Sequence, residues 1–462
     1  MYVINNAAVI GAGTMGLGIA GQLANAGVDV LLLDLPADGD NRNAVCERAI
    51  ERLLDENAPG LLHKDNLERI TIGNTEDDFD KLADADWIAE AVVERLDIKK
   101  ALYRRIDEVR KPGSIVSSNT STIPISLLVE DMPEKFRSEF AITHFFNPVR
   151  YMRLLELVRG ESTKQDVIDC LDQFNDERMG KGNVICNDTP GFLGNRVGVF
   201  AIQTALHTAF RMGLKPEEAD AVFGRPMGIP KTGVFGLYDL IGIDLMSDVA
   251  KSLENILPAK DAFHDVAAEI PLMKRMIDAG MIGNKGTKGG FYRDRNDTER
   301  ETLEFDSFTW RDFDTNKPQI AVDAEAAGDF TMLLASDDQY GQYAWKILSD
   351  TLCYAAELVP DVNESLVAVD DAMKLGYNWI QGPFEMIDSI GVDRFIARLE
   401  SGGRDVPGFV RTAAGKTFYR VEFGELQYLL ADGSYATLER APGVTRFSEK
   451  RRTLNPVLEN AL

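Results

Sequence analysis

The opening residues contain the feature that most restricts the fold. The stretch "AAVIGAGTMGLGIAGQLANAGVDVLLLD" reads as a strand, a glycine-rich turn, a helix and a second strand. In such a turn Gly11 permits the tight bend, Gly13 lets a pyrophosphate approach the backbone, and Gly16 lets the helix pack close to the sheet. The helix N-terminus offers N–H groups and a partial positive charge to phosphates. The pattern therefore predicts a dinucleotide-binding βαβ unit.

The second strand ends in an acidic residue. Asp34 lies 23 residues after Gly11. A carboxylate at this position can hydrogen-bond the ribose diol and would repel a 2′-phosphate. The sequence therefore favours NAD over NADP as the cofactor.

Length, charge and cysteine content restrict the class of protein. A chain of 462 residues is expected to form two or three domains. Its net charge of −24 argues against nucleic acid or an anionic membrane as the main partner. No apolar run reaches the roughly 18 to 20 residues that span a bilayer. The four cysteines lack paired spacing, which is typical of reduced thiols. We therefore expect a cytoplasmic protein without a metal site.

Further strands are predicted to bring polar residues to one edge of a parallel sheet. "ADWIAEAVVE" is predicted to be a strand ending at Glu94, and "SIVSSNTSTIPI" and "FAITHFFNP" are predicted to be strands running into polar loops. Ligands of open parallel sheets bind beyond the carboxyl ends of the strands. We therefore expect Glu94, the "SNTS" loop and His144 to lie together beside the cofactor.

A second acidic residue lies in an apolar run downstream of His144. Glu156 is flanked by two leucines, and burying a carboxylate there is costly unless it has a partner. A carboxylate that contacts one imidazole nitrogen fixes the tautomer and leaves the other nitrogen able to take a proton. Two interpretations remain open on these residues alone. Glu156 pairs with His144, or it forms a salt bridge with Arg153 or Arg159.

Three stretches, "SSNTSTIPIS", "HFFNPVRYMRLLELVRG" and "NDTPGFLGNRV", carry a family resemblance together with the glycine-rich turn. Over at least residues 1–295 the chain resembles the 3-hydroxyacyl-CoA dehydrogenases of fatty-acid β-oxidation. The resemblance implies an acyl-CoA substrate, NAD as cofactor, His144 as the catalytic base and Glu156 as its orienting partner. It also implies that Ser121 and Asn195 hydrogen-bond the reacting oxygens of the substrate. The residues that fall at the family's NAD contacts are Met15, Asp34, Glu94, Lys99 and Asn147.

The second half of the chain is helical in pattern and contains an internal repeat. "GVFGLYDLIGID" at 233–244 recurs as "GPFEMIDSIGVD" at 382–393, and each copy later reaches a Phe-Tyr pair. The expected fold class is an α/β Rossmann-type dinucleotide-binding domain followed by duplicated all-α domains. The second copy has no counterpart of "PGFLGNRV". We therefore expect it to have a structural role, either closing the site or standing in for a dimer partner.

These patterns predict five segments: an NAD-binding domain at 1–187, a first helical domain at 188–300, a charged linker at 301–338, a degenerate second helical domain at 339–430, and an extended tail at 431–462. In relatives that resemble this chain, an enoyl-CoA hydratase domain can follow the dehydrogenase part. The tail is then either a linker to a fused or associated hydratase or a simple extended C-terminus. The oligomeric state stays open, because shorter relatives are dimers and duplicated ones can be monomers.

Two other functions remain open at this stage. One is an NAD-dependent dehydrogenase of a hydroxy acid that is not a CoA ester, such as a sugar acid. The other is an NAD-binding structural or regulatory protein that has lost catalysis. The duplicated helical domain favours the acyl-CoA substrate. The complete set of His144, Glu156, Ser121 and Asn195 argues against the loss of catalysis.

Overall fold

The computed structural model describes residues 2–55, 59–296, 299–363, 365–441 and 443–454. The chain divides into two compact units, Met1–Gly194 and Asn195–Leu462. Among the described residues, no helix combines the length and apolar character needed to cross a membrane.

The first unit is built on an eight-stranded sheet, with the strand order β3-β2-β1-β4-β5-β6-β7-β8. Neighbouring strands are parallel except for β6 and β7, which are antiparallel. The order reverses between β1 and β4, which is where doubly wound sheets bind dinucleotides. The predicted Rossmann-type class is therefore confirmed. The strands are β1 (Asn6–Ile10), β2 (Asp29–Asp34), β3 (Ile70–Asn74), β4 (Trp87–Glu90), β5 (Ile115–Ser118), β6 (Phe140–Phe145), β7 (Leu154–Arg159) and β8 (Gly182–Asn187).

Helices connect these strands and cover the sheet. They are α1 (Thr14–Asn25), α2 (Ala44–Leu53), α3 (Leu96–Val109), α4 (Ile125–Leu128), α5 (Glu134–Ser138) and α6 (Gln165–Glu177). Glycine is required where β1 turns into α1. Gly11 has a φ of +105°, and a Cβ on Gly16 would lie 1.8 Å from the Gly11 carbonyl oxygen. The backbone therefore approaches itself too closely for any side chain at these two positions.

One strand ends earlier than predicted. β4 stops at Glu90, so the prediction that it runs to Glu94 is wrong. The Glu90 carboxylate accepts a hydrogen bond from the N–H of Val92 at 2.7 Å, which bends the chain away from the sheet. Glu94 consequently lies in the loop that leads to α3.

The second unit contains two helical modules, each followed by a three-stranded antiparallel sheet that the all-α prediction did not include. The first module comprises α7 (Gly194–Met212), α8 (Pro216–Val222), α9 (Gly233–Ile241), α10 (Ile243–Ile256), α11 (Pro271–Asp278), β9 (Tyr292–Asp294), β10 (Arg300–Glu304) and β11 (Thr309–Asp312). Two short helices follow, α12 (Gln319–Ala327) and α13 (Thr331–Leu334). The second module comprises α14 (Gln339–Glu357), α15 (Leu366–Gly376), α16 (Pro383–Ile390), α17 (Val392–Ser401), α18 (Gly408–Thr412), β12 (Tyr419–Glu422), β13 (Glu425–Leu429) and β14 (Tyr435–Thr437), and α19 (Phe447–Thr453) ends the described chain.

The repeat is confirmed at the level of individual hydrogen bonds. In the first module Asp239 accepts bonds from the N–H groups of Phe291 and Tyr292, both at 2.8 Å. In the second module, Asp388 accepts the same pair of bonds from the Phe-Tyr segment that begins β12, at 2.7 and 2.8 Å. Each copy therefore uses one aspartate to join its repeat motif to its sheet.

A second aspartate in each module caps a helix. Asp220 accepts bonds from two N–H groups in the first turn of α9, at 2.7 and 3.0 Å, and from the hydroxyl of Tyr292 at 2.9 Å. Asp370 accepts the equivalent bonds at the start of α16, at 2.8 and 3.2 Å, and from Tyr419 at 2.9 Å. The two modules thus share the hydrogen bonds of two aspartates as well as a sequence motif.

The predicted linker and tail are largely ordered. Residues 301–338 contain β11, α12 and α13, because their charges find partners within the first module: Arg311 pairs with Glu217 at 2.6 Å. In the tail, Arg440 and Arg446 both pair with the buried Asp371, at 2.8 and 2.5 Å, and α19 follows. Residues 455–462 of the predicted tail lie outside the described residues.

The raised pKa of Asp220 predicts a dependence of stability on pH. Burial raises the pKa of Asp220 from 3.8 to about 7, against the opposing effect of its N–H donors. A carboxyl whose pKa is higher in the folded than in the unfolded chain stabilises the fold fully below about pH 4, and this contribution is lost as the pH rises through the folded value. We expect the free energy of unfolding to fall less between about pH 5 and pH 7.5 in Asp220→Asn than in the wild type. Urea denaturation at a series of pH values measures this, and equal slopes would contradict it.

Candidate active site

His144 and Glu156 are direct partners across the antiparallel step of the sheet. In the register of β6 and β7 the two residues lie opposite each other, and His144 Nδ1 is 2.6 Å from Glu156 Oε2. Of the interpretations left open by the sequence, the pairing with His144 is the one observed. His144 is 6% exposed, and Glu156 is fully buried. The ring is thereby held with Nε2 as the nitrogen not engaged by Glu156.

The second oxygen of Glu156 joins this pair to the end of the first unit. Oε1 accepts hydrogen bonds from the N–H groups of Leu193 and Gly194, at 3.0 and 2.7 Å. The ring of Phe192 lies 5.7 Å from that of His144, and its backbone has a φ of +47°. A left-handed conformation in a bulky residue is strained and persists only where the surroundings impose it. The "PGFLG" segment is therefore shaped to wrap the imidazole and its partner.

The "SNTS" loop and Glu94 are brought together, as predicted, at the carboxyl end of the sheet. Glu94 Oε1 accepts bonds from the Ser121 N–H at 3.2 Å and the Thr122 hydroxyl at 2.9 Å, and also from the Thr120 hydroxyl. Burial raises the pKa of Glu94, but the charge of Lys99 and these hydroxyls outweigh it and hold the pKa below its usual range. Glu94 thus orders the loop that carries Ser121.

Behind Glu94 lies a buried cluster that the sequence analysis missed. Glu90 is fully buried, and its carboxylate accepts bonds from Lys99 Nζ, the Tyr103 hydroxyl and the Ser118 hydroxyl, each at 2.7 Å. Lys99 also contacts Glu94 Oε2 at 3.3 Å and is only 1% exposed. The predicted NAD contact of Lys99 stays a prediction; in the structure its ammonium contacts these two carboxylates. The signal for Glu90 was available, because it lies within an apolar run just as Glu156 does.

Lys181 is a second residue that the sequence analysis missed. Its Nζ donates to the carbonyl oxygens of Val149 and Met152, the latter at 2.8 Å, in the loop that joins β6 to β7. Burial, with a smaller effect from Arg153, lowers the pKa of Lys181 to about 8. The buried ammonium of Lys181 therefore stabilises the loop between His144 and Glu156. No sequence pattern marks this residue.

The glycine-rich edge has the properties that a dinucleotide requires. A Cβ on Gly13 would meet nothing within 4 Å, and no side chain caps the N-terminus of α1. Asp34 ends β2, and its Oδ2 accepts a bond from the Ala12 N–H at 2.6 Å. Met15 is half-buried in the first turn of α1, and Asn147 is exposed just beyond β6. These residues fit a bound NAD. The open backbone at Gly13 can hydrogen-bond the pyrophosphate, and the Asp34 carboxylate can hydrogen-bond the ribose.

Asn195 belongs to the second unit and is the second residue of α7. Its Oδ1 accepts a hydrogen bond from the Tyr377 hydroxyl at 3.3 Å. No group of three or more potential metal ligands is found among the residues that the structure describes.

Comparisons with known proteins agree with this geometry. The model of the 3-hydroxyacyl-CoA dehydrogenase NAD-binding domain matches residues 6–189, and that of the C-terminal domain matches residues 191–294. A probable 3-hydroxyacyl-CoA dehydrogenase of Deinococcus radiodurans is 39% identical, over 64% of this chain and 84% of that protein. The crystal structure of 3-hydroxybutyryl-CoA dehydrogenase from Escherichia coli K12 superposes with a TM-score of 0.68 at 25% identity, covering 89% of this chain and 98% of that one.

Longer relatives match as well. A putative fatty acid oxidation complex trifunctional enzyme of Rickettsia felis is 40% identical over 83% of this chain, which covers 53% of that protein. The chain spans about half the length of such relatives. The fold and the family matches place the chain in the class of NAD-dependent dehydrogenases with a helical C-terminal region. The chain belongs to the 3-hydroxyacyl-CoA dehydrogenase family.

The buried Glu90 cluster predicts an effect on stability. Lys99→Met removes the only ammonium that contacts Glu90 in the described structure and leaves a buried carboxylate without its counter-charge. We expect a loss of about 3 to 5 kcal/mol in the free energy of unfolding, the usual cost of breaking a buried ion pair. Urea denaturation measures it. Lys100→Met is the matched control, because Lys100 pairs with exposed carboxylates and should change stability little.

Proposed function

We propose that the chain catalyses the NAD-dependent oxidation of a (S)-3-hydroxyacyl-CoA to the 3-oxoacyl-CoA, as in fatty-acid β-oxidation. The observation that carries the proposal is the buried His144–Glu156 pair at the carboxyl edge of the sheet, 2.6 Å apart. The names of its relatives support the same substrate class. A non-CoA hydroxy acid has no comparable support.

The proposed chemistry is a general-base oxidation. Glu156 holds the Nδ1 side of the ring, so that Nε2 takes the proton of the substrate 3-hydroxyl. The imidazolium that forms is stabilised by the adjacent carboxylate. Ser121 and Asn195 hydrogen-bond the substrate oxygens and orient C3. NAD, when bound, supplies the acceptor for the hydride that leaves C3.

The cofactor is held by the edge described above. The turn at Gly11, Gly13 and Gly16 and the start of α1 meet the pyrophosphate, and Asp34 meets the ribose. Met15, Glu94 and Asn147 are proposed as further contacts. Lys99 is proposed as a contact as well, and its ammonium lies 3.3 Å from Glu94 Oε2.

Association with an enoyl-CoA hydratase is part of the proposal. Some of the relatives that match more than four fifths of this chain are named as fatty acid oxidation complex proteins, and they extend well beyond the matched region. Addition of a crotonyl-CoA hydratase to the purified chain, followed by sedimentation, tests for such a partner.

Replacement of the base tests the proposed function. The assay is the loss of NADH absorbance with acetoacetyl-CoA as substrate. We expect His144→Gln to lower kcat by about a thousandfold, near the usual contribution of a general base, with NADH affinity nearly unchanged. His63→Gln, an exposed histidine of the same unit, is the control. A wild-type protein that binds NADH but does not turn over would favour a catalytically silent relative.

Glu156→Gln tests the orienting role. The two N–H groups at Oε1 require an acceptor, so the amide must turn its NH₂ toward His144 Nδ1. That forces the ring proton onto Nε2, which can then no longer accept the substrate proton. We expect kcat to fall by roughly a hundredfold or more, with little change in KM. The exposed Glu161→Gln is the control, and normal turnover in Glu156→Gln would contradict the assignment.

A further inference from the structure

The second helical module contacts the first turns of α7, the helix that carries Asn195. Tyr377 follows α15 of that module, and its hydroxyl donates to Asn195 Oδ1 at 3.3 Å. The next residue, Asn378, has a φ of +54°, a left-handed conformation that asparagine tolerates, so the chain turns directly after this tyrosine. The contact is thus made by a segment held in a defined conformation.

The ring of Tyr377 is seated on the same helix. A Cβ on Gly198 would lie 2.0 Å from a carbon of this ring, so the tyrosine occupies the space that a side chain on α7 would need. Gly198 lies three residues after Asn195, on the same face of the helix. The glycine admits the ring, and the ring brings its hydroxyl to the amide.

A second tyrosine of the same module contacts two further residues of α7, Arg196 and Phe200. Tyr354 on α14 stacks on Phe200, with ring centroids 4.2 Å apart, and its hydroxyl accepts a bond from Arg196 Nε at 3.1 Å. That hydroxyl in turn donates to Asp261 at 3.0 Å. The start of α7 is therefore fixed by the second module at four successive points along the helix.

We propose that Tyr377 is a positioning residue that sets the orientation of the Asn195 amide. By donating to Oδ1, its hydroxyl fixes which side of the amide is the acceptor, and Nδ2 is left to donate to a substrate oxygen. This inference rests on the proposed function, since it assigns to Asn195 a substrate contact. It gives the second module a role in the site although that module has no counterpart of "PGFLGNRV".

Tyr377→Phe is the central test, because it removes the hydroxyl and keeps the ring on Gly198. With acetoacetyl-CoA and NADH, we expect kcat/KM to fall about two- to tenfold, the value of one neutral hydrogen bond. NADH affinity and the melting temperature should stay near the wild-type values. The matched control is Tyr343→Phe. Tyr343 also belongs to the second module, and its hydroxyl donates to the Ala205 carbonyl oxygen on α7 at 3.1 Å. Its kinetics should match those of the wild type.

A double-mutant cycle separates positioning from a general effect on stability. In an Asn195→Ala background, Tyr377→Phe should cause no further loss in kcat/KM, because the group it orients is absent. Additive losses would overturn the proposal, as would unchanged kinetics in Tyr377→Phe alone. A wild-type chain without turnover would instead overturn the proposed function.

Gly198→Ala tests the same contact by changing the residue on α7 against which the Tyr377 ring packs. The new methyl displaces the Tyr377 ring, so kcat/KM should fall at least as far as in Tyr377→Phe. In a Tyr377→Ala background the same substitution should add no further loss. If Gly198→Ala were equally harmful with and without the ring, the contact would not act through Tyr377.

Discussion

The buried carboxylate of Glu156 is the interaction on which the site depends. A carboxylate without water is costly unless all its oxygens are engaged. Here one oxygen faces His144 and the other accepts two N–H groups at the start of α7. The antiparallel step between β6 and β7 makes this possible, because residues directly opposite in such a pair have side chains close together on one face. A single group thereby fixes the imidazole, the two strands and the "PGFLG" segment together.

Carboxylates that accept several hydrogen bonds also occur elsewhere in both units. Glu90 gathers an ammonium and two hydroxyls behind the loop that carries Ser121. Asp220 and Asp370 cap equivalent helices, and each also receives a tyrosine hydroxyl. Each of these acids accepts hydrogen bonds from several donors that are distant in the chain, so its position depends on the arrangement that brings those donors together. Carboxylates with several hydrogen-bond donors therefore occur both in the sheet of the first unit and in the two modules of the second.

The second helical module lacks the "PGFLGNRV" motif but keeps the internal structure of the first. The two copies keep the same internal hydrogen bonds between the repeat motif and the sheet. The first contributes Asn195, while the second contributes tyrosines that pack on the helix bearing it. In the segments first interpreted as a linker and a tail, arginines pair with buried acids of the same module.

What the sequence determined by itself was local. The glycine-rich turn, Asp34 at the end of β2 and the repeat around Asp239 and Asp388 each depend on residues close together in the chain, where steric limits and periodicity decide the structure. Tertiary structure decided the rest. It selected His144 rather than an arginine as the partner of Glu156, ended β4 at Glu90, and joined Tyr377 to Asn195 across 182 residues. These contacts depend on which buried groups meet once the sheet and helices have packed, and desolvation then makes each pairing obligatory. No local pattern records that choice.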